Sequence, residues 1–219
     1  MQGIFLLIVG VAWGHSWLDC IGKMKKYRGP VQFFSNDFYK EYCKGFGRGY
    51  PGRFNRNIND IYTTIIEGRG SPDPKTKRVC GETAQTMNYT KEFPMASVVA
   101  GRRVKLWYEM DAHMGKDTTV NIIGYGVAGK TIDTYADQLK AKKLFTHPFA
   151  TPKNCIDMKF VNTWCWAYFK IPANWPPGVY SFLWNWPWDG NPIGEEYNTC
   201  FDLNVTPYKP RKKRAARIN

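Results

Sequence analysis

The chain has only three histidines, His15, His113 and His147, and none of its six cysteines stands in a Cys-x-x-Cys pair. That spacing argues against a cysteine metal site and leaves Cys20, Cys43, Cys80, Cys155, Cys165 and Cys200 as disulfide formers. It does not choose a connectivity among them. Helical periodicity is scarce and there is no internal repeat, which argues against a helical bundle or a solenoid. Apart from Ile4 to Val11 no run is strongly apolar, and that one is too short to cross a bilayer. Acidic residues are missing from the last stretch, where Lys209, Arg211, Lys212, Lys213, Arg214 and Arg217 stand without a counter-charge.

What is present suits one globular domain. The chain has 219 residues, of which 43% are hydrophobic, enough for a substantial core. Nine Trp, thirteen Tyr and thirteen Phe exceed what that core needs, so some rings should reach a surface. Removing the six tail charges from the net +13 leaves +7 on the body, which favours polyanionic partners. The short apolar run followed by Ala12-Trp13-Gly14 fits a signal peptide, with small residues at the −3 and −1 places before a cleavage site. Residues 1–14 are therefore expected to be a leader, 15–207 a single domain and 208–219 a basic, disordered tail. Export agrees with the cysteine content and with the sequons at Asn88 and Asn204, both expected to be glycosylated. In a secreted, monomeric protein an acidic polysaccharide becomes a better partner for the basic surface than nucleic acid, and no membrane span is expected.

The body reads as short strands separated by Gly, Pro and Asn clusters. Val104 to Met110 alternates, with Val104, Leu106, Tyr108 and Met110 on one face. Thr119–Tyr125, Asp157–Val161, Trp164–Ile171, Val179–Trp184 and Cys200–Val205 are further expected strands. Asn36–Cys43 and Thr134–Lys143 are expected short helices. The spacing predicts an all-β fold, an immunoglobulin-like antiparallel β-sandwich with long loops and one or two short helices. Trp184 and Trp186 share a face and are expected in the core rather than on a sugar-binding platform.

Cleavage after Gly14 would make His15 the mature N-terminus, and that residue would then offer two nitrogen donors, its α-amine and its ring Nδ1. A second imidazole would complete a planar set of three nitrogens, which suits Cu(II). The start His15-Ser16-Trp17-Leu18-Asp19-Cys20 resembles that of lytic polysaccharide monooxygenases, closest to the oomycete pectin-active branch, auxiliary activity family seventeen. Leu106 to His113 resembles the strand and loop that deliver the second copper histidine. Gly194 to Val205 resembles the last core strand, with Tyr197 five residues before Asp202. Pro177 to Trp186 resembles the penultimate one.

The resemblance implies copper held by His15 and His113, with Tyr197 at the axial position and Glu195 pointing towards the metal as a proton-handling neighbour. His147, in Phe145-Thr146-His147-Pro148-Phe149, is the rival second ligand, but reads as lying in a loop. Glu196 competes with Glu195, because a one-residue bulge would exchange their faces. The implied chemistry is reduction of copper by an external electron donor, reaction with O₂ or H₂O₂, and hydrogen abstraction at C1 or C4 beside a glycosidic bond. The basic body favours an acidic substrate such as homogalacturonan, in agreement with the pectin-active resemblance, with loops 44–60 and 66–92 as candidates for gripping the polymer. Two other functions fit the same residues: a non-catalytic histidine-brace copper binder, and a metal-free β-sandwich that binds polyanionic glycans.

Overall fold

Alternating apolar residues bounded by turn formers give ten strands among the described residues of a computed structural model. The structure describes residues 16–23, 36–68, 77–85, 88–110, 119–159, 163–188 and 194–208. One sheet orders β2 (Cys43–Gly45), β1 (Leu18–Gly22), β5 (Arg103–Met110) and β8 (Thr163–Lys170). The other orders β3 (Thr64–Glu67), β10 (Glu195–Thr206), β9 (Gly178–Trp188), β6 (Thr119–Gly124) and β7 (Lys142–Pro148). The short strand β4 (Ala96–Val99) joins the second sheet by pairing parallel to the C-terminal half of β10. Every other pairing is antiparallel. The fold is thus the expected β-sandwich.

Side-chain alternation decides what lies between the sheets. Val104, Leu106, Tyr108 and Met110 of β5 face inward, against Trp184, Trp186 and Phe201 from the opposite sheet. The outer faces are covered as well. Helix α1 (Asn36–Tyr42) seals the four-stranded sheet, where Phe38 stacks on Trp164 at 4.7 Å. Helix α3 (Tyr135–Lys140) and the segment around Val79 seal the six-stranded one, against Leu183 and Cys200. A one-turn helix α2 (Ile58–Ile61) lies between them in sequence. A capping box starts α3: Asp137 N–H donates to Thr134 Oγ1 at 3.2 Å, and Thr134 N–H donates to Asp137 Oδ2 at 3.0 Å.

The strands β9 and β10 are longer than their sequence signals, which stop at Trp184 and begin at Cys200. They form a hairpin paired from Gly178↔Val205 to Trp188↔Glu195. Two expectations fail. Asp157 to Lys159 form a turn in which Asp157 Oδ1 accepts from Lys159 N–H, so no strand runs there. His147 lies on β7, paired with Val120, not in a loop. That strand borders the sheet, and its half-exposed residues lack the apolar alternation that marks a buried strand.

The cysteines pair as Cys20–Cys43, Cys80–Cys200 and Cys155–Cys165. The first staples α1 and β2 to β1, and the second ties the outer layer to the middle of β10. No helix among the described residues is long and apolar enough to cross a membrane. The expected leader and all but the first residue of the expected tail lie outside the described residues.

Candidate metal centre

One end of the sandwich gathers the start of β1, the end of β5 and the start of β10. Leu18 pairs with Tyr108, so the residues that precede β1 meet the last residues of β5. Ser16 Oγ donates to the Glu109 carbonyl oxygen at 2.6 Å. Leu18 is then held on both sides of its peptide unit. Its N–H donates to Thr199 Oγ1 of β10 at 3.3 Å, and its carbonyl accepts from Tyr62 Oη at 2.8 Å. His15 adjoins Ser16 in sequence, and His113 follows the end of β5 by three residues. Both histidines lie outside the described residues.

Tyr197 and Glu195 share the inward face of β10. Tyr197 is buried, its ring lies 5.0 Å from that of Trp186, and its hydroxyl donates to Glu195 Oε2 at 2.9 Å. Trp186 stacks on Phe149 at 4.1 Å, and Phe149 stacks on Tyr108 at 5.3 Å. This column of rings links Tyr197 to the end of β5. No bulge interrupts the β9–β10 register, so Glu196 points the other way. There it accepts from Gln138 Nε2 at 2.7 Å and Asn185 Nδ2 at 3.0 Å.

Asp202 also faces away from Tyr197, because it lies five residues, an odd number of steps, further along the strand. It receives Arg48 Nε at 2.8 Å and Arg48 Nη2 at 2.9 Å, while Tyr89 Oη donates to it at 2.8 Å. Burial pulls the Arg48 pKa down, but the Asp202 carboxylate outweighs it and the guanidinium stays firmly charged.

A second ion network braces the same end from outside the sheet. Asp19 sits at the bulge where β1 slips against β5 between Leu18 and Cys20. Arg53 Nη1 pairs with Asp19 Oδ2 at 2.8 Å, and Nη2 pairs with Glu109 Oε2. The guanidinium lies over the Trp17 ring at 4.9 Å and the Trp164 ring at 5.5 Å. Trp17 Nε1 and Tyr50 Oη both donate to Asp19 Oδ1. Burial raises the Asp19 pKa, opposed by the charge and hydrogen bonds of Arg53. Glu109 Oε1 is buried without a hydrogen-bond partner among the described residues. Sequence reasoning placed Asp19 in the N-terminal motif but missed Arg53, whose only signal was membership of the basic 44–60 loop.

His147 lies on the edge strand β7, its Nδ1 2.9 Å from the Pro148 carbonyl oxygen. Among the described residues no group of three His, Cys, Asp or Glu side chains is arranged to hold a metal. The residues fit a metal in a narrower sense. The strands joined at Ser16 and Glu109 are the ones that His15 precedes and His113 follows in sequence, and the orphaned, buried Glu109 oxygen is an acceptor of the kind that a ligating imidazole N–H uses.

The fold is a disulfide-linked β-sandwich of two mainly antiparallel sheets. No family model matches the chain. No curated protein matches it either. Solved structures overlap it in part, among them the following three. A cellulose-active lytic polysaccharide monooxygenase in complex with copper is 9% identical at a TM-score of 0.41, covering 59% of this chain and 61% of that one. Entomopoxvirus fusolin is 13% identical at a TM-score of 0.38, covering 59% and 43%. A Niemann-Pick type C2 protein from the Japanese carpenter ant is 10% identical at 0.29, covering 51% and 80%. The chain thus spans less than two thirds of the length of the first two.

Proposed function

We propose that the protein is a secreted, copper-dependent lytic polysaccharide monooxygenase acting on an acidic plant cell-wall polysaccharide such as homogalacturonan. The observation that carries this reading is the Ser16–Glu109 hydrogen bond, which joins the strand start after His15 to the strand end before His113. His15 would hold copper through its amine and Nδ1, and His113 through its ring. Copper bound there would supply oxidation of a sugar C–H beside the glycosidic bond, given an external reductant and O₂ or H₂O₂.

The chain's own residues do the rest. Tyr197 would wall one side of the bound copper, and the ring column behind it would keep that wall rigid and dry. Glu195 accepts a hydrogen bond from the Tyr197 hydroxyl, which orients its carboxylate, and that carboxylate would exchange a proton with a co-substrate. Glu109 Oε1 would receive an imidazole N–H and so fix that ring's tautomer. Residues 15–207 form the working domain, and 1–14 are removed to expose His15. Asn88 and Asn204 are both exposed and open to glycosylation.

The test is expression with an authentic His15 terminus, copper loading, and incubation with ascorbate and homogalacturonan, cellulose or chitin. Oxidised oligosaccharides that disappear in His113→Ala support the reading. Tight copper binding without product from any polymer assigns a non-catalytic copper protein instead. Glycan binding that is indifferent to copper removal and to His15→Ala assigns a metal-free binder.

A further inference from the structure

At the far end of the four-stranded sheet lies a cleft of about 510 Å³, lined by Lys44, Gly101, Arg102, Arg103 and Lys170. Its volume is within the usual span of small-ligand pockets. Four of its five lining residues are cations and none is an acid. None of these four cations forms a salt bridge among the described residues. All four are exposed.

The cleft is built on fixed backbone. Arg102 N–H donates to the Val99 carbonyl at 3.0 Å, closing the turn between β4 and β5, and Gly101 takes φ +79° within it. A side chain at Gly101 would be strained by that angle and would press on Ala173. Gly101 N–H and the Arg102 carbonyl are both tied to Ile171, so the turn is locked to the end of β8. Arg103 and Lys170 are cross-strand neighbours on adjacent strands. Like charges placed directly opposite are destabilising, so their juxtaposition calls for an anion.

Aromatic residues continue from the charges along the same face. On β8, Trp166 and Tyr168 alternate with buried residues and stay half-exposed in line with Lys170. Arg103 pairs with Lys170 and Lys105 with Tyr168, so Arg103 and the Tyr168 ring are diagonal neighbours on this face. Cations that bind carboxylates next to rings that stack on sugar faces describe a surface for an acidic sugar chain. The three disulfides favour such an extracellular polymer over RNA.

We propose that this cleft and the neighbouring rings bind the carboxylates of an acidic polysaccharide at a site remote from the candidate copper end. The length of β5 separates the two ends by roughly 24 Å, seven residue steps at strand rise. The site thus holds a neighbouring stretch of the polymer and needs no copper.

The test is binding of the full chain, without copper or reductant, to polygalacturonate, to its fully methyl-esterified form and to an RNA homopolymer. Two double variants are compared, Arg102→Glu/Arg103→Glu and Lys44→Gln/Lys170→Gln, each checked for an unchanged Tm. Polygalacturonate should bind in preference to both controls, and each double variant should weaken it about tenfold. Wild-type affinity in both variants, equal binding of the esterified chain, or tighter binding of RNA would each overturn the proposal. Because copper is omitted, failure here leaves the oxidative reading standing, and failure of that reading leaves this site standing.

Discussion

Ser16 and Glu109 lie 93 positions apart in sequence, yet the Ser16 hydroxyl donates to the Glu109 carbonyl at 2.6 Å inside the protein. This bond positions the N-terminal strand against the end of β5, and both groups are buried. Ser16→Ala leaves the carbonyl unsatisfied and should cost about 1–3 kcal/mol in urea denaturation. The same variant should weaken copper binding roughly tenfold in calorimetric titration, because a donor attached to a loosened strand loses its fixed geometry. Unchanged copper affinity alongside the stability loss would separate this bond from the metal site.

Tyr197 and Glu195 define the second prediction. Tyr197→Phe keeps the ring against Trp186 and removes only the hydroxyl that donates to Glu195. The fold should lose about 1 kcal/mol or less, since Glu195 is half-exposed and water can replace the donor. If Tyr197 is the axial neighbour proposed above, the electron paramagnetic resonance spectrum of bound Cu(II) should nevertheless shift. Glu195→Gln should preserve copper affinity and lower turnover by about 10²-fold, in line with loss of a proton-handling group. A spectrum identical in Tyr197→Phe would remove Tyr197 from the axial position.

The strands and their faces were legible where the apolar periodicity is strong. Val104 to Met110 is such a case, with all four apolar side chains in the core. Strands β1, β2, β3 and β4 carried no readable signal, because they are three to five residues long and β1 is buried on both faces. The placement of Glu195 with Tyr197 followed from alternation and holds because the hairpin has no bulge there. Arg53 was invisible for a different reason. Its importance comes from meeting Asp19 and Glu109 across two strands and a long loop, and no local pattern encodes such a meeting.

That meeting yields the third prediction. Arg53 is the cation between two buried carboxylates, Asp19 and Glu109, so Arg53→Met leaves both charges without their shared partner. Breaking a buried ion pair from one side costs about 3–5 kcal/mol, and the loss should be visible as a lower urea midpoint. Adding Asp19→Asn and Glu109→Gln to Arg53→Met removes the uncompensated charges and should restore a large part of that stability. If the triple variant is no more stable than Arg53→Met, the guanidinium acts through its packing on Trp17 and Trp164 and not through charge.

Lys105 supplies a pH signature. Its ammonium lies 4.3 Å from the Trp107 ring, 4.5 Å from Trp166 and 5.4 Å from Tyr168, and burial lowers its pKa from 10.5 to about 8. Between those two values the unfolded chain holds the proton more often than the native state does. Stability therefore rises with pH across this window, and the slope vanishes below about 8, where both states are protonated. Replacing the lysine by methionine keeps an apolar stem of similar shape and removes the titrating group. The stability of wild type relative to Lys105→Met should therefore increase steadily between pH 8 and pH 10.5 and stay flat between pH 6 and pH 7. Tyrosine ionisation is common to both proteins and cancels in the difference. A difference that is flat throughout would mean that Lys105 keeps its ordinary pKa, the attraction of the rings for the ammonium having offset its burial.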